Sequence, residues 1–125
     1  MSKGKITHVE IPADDPARAQ RFYGELFGWQ FRAMPGYDDY FLFSLGDGDE
    51  SVSGAIGKRN VSAPDKVRNY ITVDSVDDAV SRLPDLGGTL LEPKAEVPGQ
   101  GWYAVCTDSE GNEFALWQTS PEAQG

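Results

Sequence analysis

His8 and Glu10 stand two residues apart in the run Ile6 to Ile11, and they are the side chains best suited to move a proton. A strand sends alternate side chains to one face. Ile6, His8 and Glu10 therefore share one face, and Thr7, Val9 and Ile11 the other. His8 is the only histidine. An imidazole can act as acid, base or metal ligand, and a lone one serves equally as a hydrogen-bonded structural group. Glu10 reads as a general base or as an ion-pair partner. Sixty residues on, Arg68, Tyr70 and Thr72 alternate in the same way. Arg68 is a permanent cation without a lone pair, so it can pair with Glu10 or meet an oxyanion but cannot hold a metal. In the last apolar run Glu113, Ala115 and Trp117 share a face. The expected site is a catalytic pair, His8 and Glu10, with Arg68, Tyr70, Trp102, Glu113 and Trp117 as ligand-facing groups. Tyr40 or Phe41, and Trp102 or Tyr103, should each add one aromatic; the phase of those strands stays open. Both tryptophans read equally well as core residues.

Other chemistries find little support. No Gly-x-Ser-x-Gly elbow and no phosphate-cradling glycine loop is present. Cys106, the one cysteine, lies in an apolar run and reads as buried and inert. Gly46 to Glu50 is too short and wrongly spaced for a calcium loop.

The elements that must position these residues are punctuated clearly. After the first strand, Asp14-Asp15-Pro16 predicts a helix start, with an aspartate as cap and proline in the first turn. Ala19, Phe22, Tyr23, Leu26 and Phe27 form an apolar stripe, and Gly28 ends the helix. Strands are expected over 29–33, 40–45 and 52–58, with a hairpin loop over 46–49. A linker, 59–66, contains Pro64. The order then repeats: a strand over 67–73, a helix capped by Asp74 or Ser75 and running to about Leu86, and a glycine stop at 87–88. Strands follow over 89–93, 102–107 and 113–118. Ala79, Leu83 and Leu86 should face inward, and Pro84 should kink or shorten the last turn. The tail from Thr119 should fray.

Residues 8–31 and 68–91 align without a gap at the sixty-residue offset. Ile11 falls on Ile71, Asp14 on Asp74, Ala19 on Ala79, Leu26 on Leu86 and Gly28 on Gly88. The chain of 125 residues therefore reads as one domain, 1–125, of two βαβββ modules, about 5–58 and about 67–118. The fold class is α+β, a cupped mixed sheet around a cavity. The formal net charge of -9 excludes DNA, RNA and anionic membranes as natural partners. No apolar stretch nears the ~20 residues of a membrane span. The N-terminus lacks the apolar core of a signal peptide, so a cytoplasmic protein is expected.

The duplicated βαβββ unit, with His8, Asp15, Ala19, Phe22, Tyr23 and Phe27-Gly28-Trp29, then Asn69 to Asp74, Gly87-Gly88 and Asp108-x-x-Gly111-Asn112, resembles the vicinal oxygen chelate superfamily. That group includes glyoxalase I, the bleomycin resistance proteins and extradiol dioxygenases. The resemblance covers nearly the whole chain and implies four metal-facing positions, on the first and last strands of each module. Here they hold His8, Arg68 and Ala115, and a last strand of module one without Asp, Glu, His or Cys. The expected cofactor is therefore none, with one divalent metal in a shifted site on His8, Glu10 and Glu113 as the alternative. The resemblance implies a small organic ligand held by a homodimer, as in bleomycin resistance proteins. A lyase or isomerase using His8 and Glu10 is the other reading.

Overall fold

The computed structural model describes residues 4–45 and 52–121. The hairpin loop expected at 46–49 and the calcium-like run Gly46 to Glu50 lie outside them. The chain divides into two compact units, one from His8 to Arg68 and one made of residues up to Thr7 with those from Asn69 onward. The class is α+β, as expected from the alternation of strand and helix signals.

The first unit carries β1 (Lys5–Ala13, from His8 on), α1 (Pro16–Phe27), β2 (Gln30–Ala33), β3 (Tyr40–Ser44) and β4 (Gly54–Lys58). Its strand order is β2-β3-β4-β1. β1 runs parallel to β4, and the other pairs are antiparallel. The second unit carries β5 (Arg68–Thr72, from Asn69 on), α2 (Val76–Arg82), β6 (Thr89–Val97), β7 (Gly101–Thr107) and β8 (Glu113–Thr119). Its order is β5-β8-β7-β6, with β5 parallel to β8. Each unit thus pairs its first strand with its last. The sixty-residue offset extends to those registers: Glu10 faces Ala55 and Tyr70 faces Ala115, while Ile11 faces Ile56 and Ile71 faces Leu116.

Several local expectations need correction. The helix caps are Asp15 and Ser75, whose side chains accept from the N–H groups of Arg18 and Asp78. Asp14 instead pairs with Arg59 at 2.8 Å. Proline blocks continuation, so α2 stops at Arg82 and Pro84–Leu86 forms a separate 3-10 turn ended by Gly87 in the left-handed conformation. Leu86 is exposed, not inward. On α1, Phe22, Leu26 and Phe27 are all more than half exposed, and no α1 residue is buried. Its anchor is Tyr23, stacked on Trp29, which stacks on Phe43 with ring centroids 4.4 Å apart. β6 continues through Pro93 to Val97, accommodated by two register shifts. The segment after β4 is ordered: Ala63 is buried and would lie 2.8 Å from a Cβ on Gly57. Thr119 belongs to β8, and Ser120 is buried and donates its N–H to Gln100.

The core of the second unit lies between α2 and its sheet: Val76, Ala104, Cys106 and Leu116, with Val73, Ala79, Val80 and Leu83 against them. Burial pushes the Cys106 thiol above its usual range. In the first unit, β1 and β4 approach without a side chain between them at Gly54. A Cβ there would lie 2.1 Å from the Val9 carbonyl oxygen and 2.7 Å from the Phe43 ring. Gly54→Ala should cost about 3 kcal/mol through this overpacking. A urea denaturation midpoint close to that of the wild type would refute the assignment.

Candidate functional site

Pairing register fixes which side chains share a face. In the first unit Glu10, Ala55 and Leu42 are mutual neighbours across β1, β4 and β3, and Pro12, Gly57 and Tyr40 form the next row. His8, Glu10, Tyr40 and Leu42 therefore share one face, opposite Val9, Ile11, Phe41 and Phe43. Tyr40, left open against Phe41 by the sequence, is the residue that joins the cluster.

The cluster is a directed chain of polar contacts. The Tyr40 hydroxyl donates to Glu10 Oε2 at 2.6 Å. His8 Nε2 lies 3.2 Å from the same hydroxyl. A phenol has one proton, and here it points to Glu10, so His8 Nε2 must carry hydrogen and donate to the Tyr40 oxygen. Arg68 Nη1 sits 3.9 Å from Glu10 Oε1, close enough for charge attraction but too long for a hydrogen bond. Glu10 is only 6% exposed. Taking a carboxylate out of water costs several kcal/mol unless donors and an opposite charge replace the water. Tyr40 and Arg68 supply both. The pairing of Glu10 with Arg68, one of the two roles read from the sequence, is present.

Burial also acts on His8, lowering its pKa from 6.5 to about 4 by disfavouring the charged ring. At neutral pH the ring is therefore neutral, in the tautomer that carries its hydrogen on Nε2.

In the second unit Tyr70 faces Ala115, and Trp117 faces Tyr103. The Tyr70 and Tyr103 rings are 6.4 Å apart. Tyr103, rather than Trp102, therefore shares the face of Tyr70, Glu113 and Trp117. Trp102 lies on the other face, opposite Gln118, with Lys94 5.3 Å from its ring centre. Strand β7 tolerates either phase by composition, since Trp102 and Tyr103 are both aromatic. Only the hairpin register decides, and that is set by the turn after β7. There Asp108 accepts from the N–H groups of Glu110 and Asn112. Those donors, Asn112 foremost, hold its carboxyl below the usual range. Glu113 is exposed at the start of β8, and the Trp117 Nε1 donates to Thr119 at 3.1 Å.

The metal implied by the family resemblance finds a poor donor set. The position on β4 that corresponds to Ala115 on β8 is Ala55, and both alanines are fully buried. Alanine and Arg68 offer no lone pair, and His8 Nε2 is a donor. Among the described residues no three of His, Cys, Asp and Glu gather as a metal-holding group. These residues do not fit the family metal.

Comparison with known proteins follows the same lines. A family model described as a glyoxalase-like domain matches residues 8–117. A protein of Mycobacterium bovis named putative glyoxylase CFP32 is 27% identical over 122 residues, which is 94% of this chain and 47% of that protein. The chain spans about half the length of that curated relative. A glyoxylase-like domain-containing protein of Didymella fabae is 30% identical over 121 residues, 90% of this chain and 92% of that one. The solved structure of a glyoxalase/bleomycin resistance protein/dioxygenase superfamily member from Vibrio splendidus matches with a TM-score of 0.65. It is 14% identical, covers 88% of this chain and 95% of its own, and shows the shared fold.

The lowered His8 pKa makes a signed prediction. The folded state binds fewer protons at His8 than the unfolded state between pH 6.5 and about 4. This contribution is fully present above pH 6.5 and is lost as the pH falls through that window, by about 2 kcal/mol at pH 5. His8→Gln should flatten this part of the urea-stability profile. Equal slopes for wild type and variant would contradict the buried neutral imidazole.

Proposed function

We propose that this chain, which belongs to the glyoxalase-like domain family of the vicinal oxygen chelate superfamily, binds a small organic molecule without the family metal. The observation that carries the reading is the buried Glu10–Arg68 pair. Arg68 stands at a position where the resemblance implies a metal ligand, and it is itself a cation. It supplies a fixed positive charge beside Glu10, the role a bound ion would fill. A neutral His8 and the Tyr40 hydroxyl beside that pair add the convergent polar groups expected of a small-molecule site. A homodimer accompanies this reading, as the resemblance implies. Among the described residues no helix is long and apolar enough to cross a membrane.

The test combines metal and ligand. Protein purified without chelator should contain substoichiometric zinc, nickel and iron, and excess zinc or nickel should leave its melting temperature unchanged. A metal held at a hundred times its Kd would stabilise the fold by about 2.7 kcal/mol, a visible shift. Aromatic amines, titrated in the presence of EDTA, should move the NMR signals of His8, Tyr40 and Arg68 saturably. Stoichiometric metal, or shifts that need it, would overturn the reading.

A second reading is favoured by the 2.6 Å contact between Tyr40 and Glu10. A hydrogen-bonded line from His8 through Tyr40 to Glu10 can hold or relay a proton, as a lyase or isomerase acting on a small oxygenated substrate would need. For any such substrate the wild type turns over, Glu10→Gln should lower kcat by about a hundredfold or more while the fold persists. Undiminished turnover would end this second reading and leave the binding reading standing.

A further inference from the structure

Apart from the buried cluster, the first unit carries a small open cleft at β2 and β3, about 130 Å³ in volume. Gln30, Phe31 and Arg32 line it from β2, Leu42, Phe43 and Ser44 from β3, and Val52 closes one side. Gln30 pairs with Ser44 and Arg32 with Leu42 in the antiparallel register. Alternation therefore sets these four side chains on one face as a compact patch. Phe31 and Phe43 point to the opposite face, where their rings lie 6.0 Å apart.

The chemistry of the patch is one-sided. Arg32 brings a permanent cation with a planar set of N–H donors, Gln30 an amide and Ser44 a hydroxyl. Leu42 and Val52 supply apolar wall. Among the described residues the Arg32 side chain makes no ion pair or hydrogen bond, unlike that of Arg59, which is held by Asp14 and the carbonyl of Asp65. An arginine fork without a partner among the described residues, beside two neutral polar groups, suits a planar oxyanion. The volume falls below the ~300 Å³ lower bound of drug-sized pockets, so it takes a head group and a short body.

We propose that this cleft is a binding site for a small organic carboxylate, its anionic end on Arg32 and Gln30 or Ser44, and its apolar end on Leu42 and Val52. The site is independent of the function proposed above, which rests on the Glu10–Arg68 pair. The two fail separately, because they move different residues.

The experiment is a ¹⁵N–¹H NMR titration of the whole chain with benzoate, its neutral isostere benzamide, and inorganic phosphate. Benzoate should move the amides of residues 30–32 and 42–44 saturably. Losing the charge should weaken binding about tenfold, either in the ligand with benzamide or in the protein with Arg32→Gln. Arg32→Lys should fall between, since it keeps the charge and loses the fork. Arg32 is exposed, so these variants should fold as the wild type does. Equal affinity for benzoate and benzamide, an indifferent Arg32→Gln variant, or shifts centred elsewhere would overturn the assignment. Phosphate binding as tightly as benzoate would also overturn it, because the apolar wall would then contribute nothing.

Discussion

A carboxylate shut away from water must find its charge compensated within the protein, and Glu10 sets that condition for the whole first unit. Its partners come from distant parts of the chain: Tyr40 from β3 and Arg68 from the end of the segment that follows β4. Hydrogen bonds to charged groups contribute about 1.5–3 kcal/mol. Removing one member of a buried ion pair costs about 3–5 kcal/mol, mostly because the survivor is stranded. The contact that binds these segments is therefore strongly enforced, although replacing the whole network by hydrocarbon need not weaken the fold. Small residues make room for it. Ala55 lies between Glu10 and Leu42 in the register, and Gly57 between Pro12 and Tyr40. A large side chain at Ala55 would compete for the space in which the hydroxyl and carboxylate meet.

The duplication explains both the frame and the asymmetry laid on it. The two units share strand order, the parallel pairing of first with last strand, and alanines at matching register positions, Ala55 and Ala115. What differs is the polar content of the first strands. His8 corresponds to Arg68 and Glu10 to Tyr70. Backbone pairing tolerates such exchanges because ladder hydrogen bonds do not depend on side-chain type. Chemistry can diverge on a fixed scaffold, and that is why a shared fold does not carry a shared reaction.

How much of this was legible in the sequence depended on whether one strand's pattern was enough. In β1 it was: Val9 and Ile11 are apolar, His8 and Glu10 are not, and the phase follows. The sixty-residue offset then carried the same phase to Arg68 and Tyr70. In β3 and β7 aromatics occupy neighbouring positions, so hydrophobicity cannot select a face, and only cross-strand register separates Tyr40 from Phe41 or Tyr103 from Trp102. The α1 stripe misled for a different reason. Periodicity reports which residues align along a helix, not how deep the helix sits, and the Tyr23–Trp29–Phe43 stack holds α1 while Phe22 and Leu26 stay exposed. Caps were ambiguous by one residue because adjacent positions offered suitable oxygens, Asp14 or Asp15 and Asp74 or Ser75. Pro84 was readable as a conflict, and its resolution is the break between α2 and the 3-10 turn.

The competition between a metal and an organic cation can be weighed at Glu10 itself. A divalent ion seated on that carboxylate would stand close to the guanidinium of Arg68, which lies 3.9 Å away. Like charges about 4 Å apart repel by about 4 kcal/mol per unit charge product at the effective dielectric of a partly buried site, and the ion carries two units. Coordination through Nε2 would also require His8 to give up the proton that it donates to Tyr40. That change turns the hydroxyl around and removes its proton from Glu10, because a phenol cannot donate twice. Each favourable metal contact thus breaks one already made. Arg68 opposes the ion by charge and Tyr40 by proton direction, so exchanging Arg68 alone for a ligand would leave the tautomer of His8 still set against coordination through Nε2.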